Sequence, residues 1–245
     1  MTPMRMSIAS DQDDVATVSG EAETAEIDTT TLAQQVYADL ESRMLGGELL
    51  PGDRVSLRGL AASLGTSMQP VREAVGRLVA VHAFEVTPNR SIRVPPMDRA
   101  KADDIWAMRL LLEGEAAARF AERHQADEAR SLFIYSQTMR AIRYGIDLEP
   151  TMRALMSWNQ GLAAGSGSPL LIENIARLRL RYAPWLAMAL SVPRDFDEPF
   201  MQFTLHIQDE LVLALEAGDA AAARHLRCAD LRSFQRYLYA RLDWN

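Results

Sequence analysis

At 245 residues, 48% of them hydrophobic, the chain is long enough to bury two modest cores, and its single cysteine excludes an internal disulfide framework. A formal charge of −7 excludes a broad basic field, and no apolar run approaches the roughly 20 residues that a membrane helix needs. MTPMRMSIASDQDD lacks the apolar centre of a signal peptide, and Cys228 falls on a helical pattern as a buried thiol, so a reduced, soluble, cytoplasmic setting is expected.

The charge is unevenly spread. Residues 1–28 carry −6, residues 29–97 carry +1 and residues 98–245 carry −2. The first segment is rich in Ser, Thr, Ala and acids with few large apolar groups, a composition that predicts a disordered tail. From Thr30, which can cap it, a helix carries Leu32, Val36, Leu40 and Met44 on one face, and Leu50-Pro51-Gly52-Asp53 then makes a turn.

The stretch 56–94 is the most specific. Leu57, Leu60, Ala61 and Leu64 recur at i, i+3, i+4 and i+7 and predict a short helix with one buried stripe, capped by Ser56. Gly65 sits where a left-handed residue is cheapest, and Thr66-Ser67 can start the next helix. In that helix Val71, Ala74, Val75 and Leu78 face inward, Pro70 lies in the first turn, and Gln69, Arg72, Glu73, Gly76 and Arg77 are left outside. Such a face suits a major groove, where Arg reads guanine and Gln reads adenine. It also suits a solvated helix of an ordinary helical domain. The next segment decides between them: Phe84–Thr87 and Ser91–Val94 alternate around Pro88-Asn89-Arg90, a hairpin with a basic tip. Residues 29–97 therefore read as a winged helix-turn-helix.

The run PGDRVSLRGLAASLGTSMQPVREAVGRL resembles the DNA-binding domain of the GntR family of bacterial transcription regulators, through Pro51-Gly52, Leu60-Ala61, Leu64-Gly65, Ser67 and Pro70-Val71-Arg72-Glu73-Ala74. It departs from that pattern at Arg58, where the family has an acid, at Met68, where it has a reading Arg, and at Gln69, where it has Thr. The resemblance implies family docking with an altered sequence preference. Candidate DNA contacts are Arg58, Ser67, Met68, Gln69, Arg72, Arg77, Asn89 and Arg90.

Beyond Met97 only helical periods occur. Ile105, Met108, Leu112, Ala116 and Phe120 mark a helix from about Asp98 to Glu122, and Leu132, Tyr135, Met139 and Ile142 another from about Asp127 to Arg143. Met152 to Leu162 follow, then a Gly-Ser break at 165–168. A long helix from Leu170 to about Leu190 is interrupted at Pro184, and two more run from Phe200 to Glu216 and from Gly218-Asp219 to near Leu242. The fold class is mainly α: the winged module followed, over residues 98–245, by a bundle of about six helices. Trp106, Trp158 and Trp185 are expected in its core.

This half resembles the FCD domain, the effector-binding and dimerisation domain of FadR-type GntR regulators, through Arg109 with Leu112-Glu113, Ser166-Gly167, and Ala214-Leu215 with Ala217-Gly218-Asp219. Many FCD domains hold a divalent metal with one Asp and three His. Carried over, those positions fall on Leu155, Asn159, Gln208 and Asp230-Leu231, and amides bind transition metals poorly, so no metal and no other cofactor is expected. His206 and His225 lie nearby but are expected to point elsewhere. Arg109, Asn159, Gln208 and Asp230 should converge in the bundle, with Tyr182 a further candidate, either around a small acidic effector held by Arg109 or as a closed network. Of Arg177, Arg179 and Arg181 on the long helix, at most two can face a cavity.

The expected partners are double-stranded DNA with an inverted-repeat operator, a second copy of the chain, and a small organic acid whose binding shifts the placement of the two winged helices. Two other readings are a regulator with no small-molecule effector, controlled by its level or by a protein partner, and an all-helical enzyme or metabolite-binding protein. Catalysis finds no support in paired carboxylates, a Ser-His-Asp order or a reactive cysteine setting.

Overall fold

A computed structural model describes residues 19–88, 91–142, 147–193, 195 and 197–244, the first twelve of them as backbone. Helix α1 (Ser19–Gly46) begins ten residues ahead of the expected tail boundary, so residues 19–28 are helical, and residues 1–18 lie outside the described residues. The Ala and Glu of this run are strong helix formers, and acids suit a helix N-terminus, which the low hydrophobicity of the segment concealed. Ala33, Val36, Leu40 and Met44 form the buried stripe of α1. The helix ends at Gly47, whose φ of +83° closes a reversed turn with Glu48 N–H donating to Arg43 O at 3.0 Å.

Strand β1 (Arg54–Val55) leads into α2 (Leu57–Ser63), where Ser56 Oγ accepts from Gly59 N at 3.1 Å. Gly65, at φ +61°, makes the expected turn into α3 (Met68–Ala80). The wing strands β2 (Glu85–Val86) and β3 (Ile92–Arg93) are antiparallel, and β1 adds to β3 to give the order β1-β3-β2. The expected two-stranded wing is therefore an edge of a three-stranded sheet. Two residues are too short to show alternation, so β1 has no signature of its own.

The winged module's core comprises Val36, Leu40, Met44, Leu60, Val71, Ala74, Leu78, Phe84, Ile92 and Val94, and it is completed by Leu180 from the helical half. That half consists of α4 (Arg99–Glu122), α5 (Ala126–Ser131), α6 (Phe133–Ala141), α7 (Leu148–Gly165), α8 (Pro169–Ser191), α9 (Glu198–Glu216) and α10 (Ala220–Arg241). Asp98 caps α4, its carboxylate accepting from Lys101 N at 2.9 Å. The expected helix over 127–143 is two helices broken at Leu132, which ends one and starts the other.

Helix α8 runs through Pro184 instead of breaking there. A proline costs the helix one N–H and crowds the preceding turn. Between Leu178 and Leu190 nearly every residue of α8 is buried, so packing from all sides holds the helix together across that defect. Trp106 and Trp185 meet edge-on at 6.4 Å in the core beside it, and Trp158 is buried as well. No helix among the described residues is long and apolar enough to cross a membrane.

Candidate nucleic-acid interface and bundle cavity

The outer face of α3 follows from its inner one. With Val71, Ala74, Val75 and Leu78 buried, Gln69, Arg72, Glu73 and Gly76 are left exposed on the opposite side. Nothing lies within 4 Å of where a Cβ on Gly76 would be, so the middle of the face is open to close approach. Arg72 and Arg58 are exposed, and neither has an ion-pair partner among the described residues. Ser67 is exposed and leaves its hydroxyl uncommitted at the N-cap.

Two of the candidate contacts have neighbours of their own. The guanidinium of Arg77 lies 4.3 Å from the centroid of the Tyr37 ring on α1, so its charge is turned to the flank of α3. Met68 is half-buried and packs against the winged module's core. The wing tip, Asn89 and Arg90, lies outside the described residues. Its base is fixed by Thr87 N–H donating to Ser91 O at 2.9 Å and by Arg93 pairing with Glu85 at 2.5 Å.

In the bundle, Arg109, Asn159, Gln208 and Asp230 all line one cavity of about 20 Å³, as their spacing predicts. The same lining includes Leu155, Thr204 and Arg227. Arg227 is the group that sequence reasoning missed. It is 1% exposed, and its guanidinium reaches Glu113, Asp230 at 2.5 Å and Asn159 Oδ1 at 2.5 Å. Arg109 pairs with Glu113 at 2.7 Å and lies over the rings of Tyr182 and Trp106, at 4.2 and 4.5 Å from their centroids. Asn159 Nδ2 donates to the Tyr182 hydroxyl at 3.3 Å. The result ties α4, α7, α8 and α10 together through two cations and two anions.

Of the two expectations for this site, the arrangement matches the closed network: the charged groups are paired with one another. A space of about 20 Å³ is about what one water needs, and Arg227 is one of the groups that line it. The buried polar atoms left without a protein partner, Gln208 Oε1, Thr204 Oγ1 and Arg227 Nε, suit such a water. Among the described residues no three of His, Cys, Asp and Glu gather as a metal would require. His206 and His225 are exposed. The signal that could have found Arg227 was its place three residues before Asp230, on the same face of one helix.

Burial would raise the Glu113 carboxyl, but Arg109 and then Arg227 outweigh it and bring the group from 4.5 down to about 2. A depressed carboxylate contributes stability that is present above its unfolded value and lost as pH falls through its folded value. Asp230 acts in the opposite sense: burial dominates over Arg227 and holds its carboxyl above the usual range. The stability difference between the parent protein and Glu113→Gln should thus be widest above pH 5, then shrink as pH falls from about 4.5 toward 2. Calorimetric melting of both proteins across that range measures it. A difference independent of pH would contradict the pairing.

Comparison with known proteins gives a consistent result. The family model described as "Bacterial regulatory proteins, gntR family" matches residues 32–94, and the FCD domain model matches residues 104–232. The HTH-type transcriptional regulator McbR of Escherichia coli (strain K12) is 29% identical over 204 residues, covering 82% of this chain and 90% of that protein. A probable D-xylose utilization operon transcriptional repressor of Paenarthrobacter nicotinovorans is 29% identical over 199 residues, covering 80% of this chain and 84% of that one. Among solved structures, E. coli McbR/YncC superposes with a TM-score of 0.77 at 28% identity, over 87% of this chain and 99% of that one.

Proposed function

Since the chain belongs to the GntR family of bacterial transcription regulators and carries an FCD domain, we propose that it acts as a homodimer on an inverted-repeat operator in double-stranded DNA, with α3 in the major groove. The observation that carries this reading is the open face of α3, where Gln69, Arg72 and Gly76 stand exposed and Arg72 has no ion-pair partner among the described residues. Gln69 and Arg72 read base edges. Arg58 and Ser67 hold phosphates at the entry to the helix pair. The wing tip, Asn89-Arg90, reaches the neighbouring backbone or minor groove.

Weak overall charge fits this division of labour. A module with a net charge of +1 binds DNA poorly as a single copy, so two half-sites are needed to reach useful affinity. The absence of an arginine at Met68 removes one base contact that the family pattern carries, and Gln69 shifts the preference toward adenine. The bundle cavity, sized for one water and clamped by Arg227, serves as a structural tie between helices; any small-molecule signal enters elsewhere.

Selection of bound duplexes from a random library by the full chain tests the reading. The expected result is an inverted repeat with half-site centres about 10 base pairs apart or a multiple of that, bound by two copies. Enrichment of no sequence, or of a single half-site bound by one copy, would overturn it.

A further inference from the structure

A second, larger cavity of about 460 Å³ lies where α1 of the winged module meets α7 and α8 of the bundle. Its wall on one side is Glu41, Ser42 and Leu45 of α1. On the other side stand Met156 and Gln160 of α7 and Arg179 of α8. The volume is in the range of small-molecule sites, roughly 300–1,000 Å³.

Arg179 is only 8% exposed, yet among the described residues no carboxylate pairs with it. Among the described residues its hydrogen bond goes from Nη1 to Met156 O at 3.3 Å, and its Nε has no partner. A guanidinium has five donors in a planar fork, and burying it so poorly satisfied is costly unless something else completes it. Across the same cavity Glu41 is half-buried and has neither a hydrogen bond nor an ion pair among the described residues. Burial raises the Glu41 carboxyl on balance, with Arg179 and then Arg77 pulling the other way, and Glu41 and Arg179 form no ion pair. Arg153, the other cation of the wall, is already taken by Glu149.

We propose that this junction binds a small zwitterion of the amino-acid class, its carboxylate on the Arg179 fork and its ammonium on Glu41. Charge selects the class. With Arg153 and Glu149 neutralising each other, one cation faces two carboxylates, Glu41 and Glu48, so a phosphate or polycarboxylate is repelled while a zwitterion is matched at both ends. Leu45 and Met156 offer apolar surface to a short side chain.

The position gives such a ligand leverage over DNA. The buried stripe of α1 is part of the winged module's own core, and Tyr37, one turn before Glu41 on α1, lies under Arg77 of α3. At its other end α1 is pressed onto α8, for a Cβ on Gly47 would stand 2.7 Å from that of Ala187. Bridging Glu41 to Arg179 therefore fixes the angle at which α1, and α3 with it, leaves the bundle. A ligand with different affinity for two such angles shifts operator affinity by the same coupling.

The regulatory half of this inference rests on the reading of α3 as the DNA-reading helix; the binding half does not. Calorimetric titration of the full chain without DNA, with each of the twenty free L-amino acids and with their decarboxylated amines, keeps the two apart. At least one amino acid is expected to bind, its amine not, with Arg179→Met and the half-exposed Glu41→Gln each weakening binding at least tenfold. Arg179→Met should melt no lower than the parent, because it removes a poorly satisfied buried charge. The bound amino acid should then change operator affinity about fivefold or more in the parent protein. Silence across the whole panel, equal binding of amine and amino acid, or unchanged binding in either variant would overturn the site. A ligand that binds as expected and leaves operator affinity unmoved would overturn its regulatory role alone.

Discussion

Arg227→Ala should lower the stability of the protein by about 3–5 kcal/mol, the cost of stranding charges that a buried partner had compensated. Among the described residues Arg227 alone reaches Glu113 on α4, Asn159 on α7 and Asp230 on its own helix, so its loss leaves Asp230 buried without its paired cation and Asn159 Oδ1 without its donor. For a chain of this size the melting midpoint should fall by on the order of 10 °C. Truncation to alanine also leaves a cavity in a packed region, and a second variant separates the two effects. Arg227→Met with Asp230→Leu removes one cation and one anion together, fills the space, and leaves the Arg109–Glu113 pair intact. It should regain most of the loss, since replacing a buried ion pair by apolar groups is often neutral. Equal melting of Arg227→Ala and the parent, within about 2 °C, would contradict the clamp.

The frame of the molecule was legible because its signals are periodic. Buried stripes at helical spacing placed α2, α3, α4, α9 and α10 to within a few residues, and the left-handed Gly65 placed the turn between α2 and α3. Elements without a period were lost. β1 is two residues long, and the break at Leu132 falls on a residue that the apolar repeat requires anyway. Pro184 gave the wrong sign, because a helix buried on every side tolerates what an exposed one does not.

The sites divide in the same way. Exposed residues on a helix with one buried face are read directly from spacing, which placed Gln69 and Arg72. Spacing left Arg77 exposed as well, but it could not show the guanidinium lying over the Tyr37 ring, because the direction of a long side chain depends on what stands beside it. In the bundle the convergence of Arg109, Asn159, Gln208 and Asp230 was legible, while the filling of their cavity was not. A lone Arg on a helix reads as a solvated charge, and only tertiary packing turns Arg227 and Arg179 inward.

The second large effect concerns DNA. Arg72 is exposed, without an ion-pair partner among the described residues, and on the open face of α3, with Gly76 one turn further on. A bidentate Arg contact to a guanine edge is worth about 1–3 kcal/mol of discrimination. A dimer makes it twice, so Arg72→Ala should weaken binding to the selected operator by roughly 100-fold or more. If the contact is to base edges, affinity for unrelated duplexes should change far less; a phosphate contact would instead weaken all sequences alike and reduce the salt slope by about one per arginine. The decisive measurement is the affinity of parent and Arg72→Ala for the selected operator and for a scrambled duplex across a salt series. The account predicts a large loss on the operator, a small one on the scrambled duplex and nearly parallel salt slopes; equal operator affinity of the two proteins at every salt concentration would contradict α3 as the reading helix.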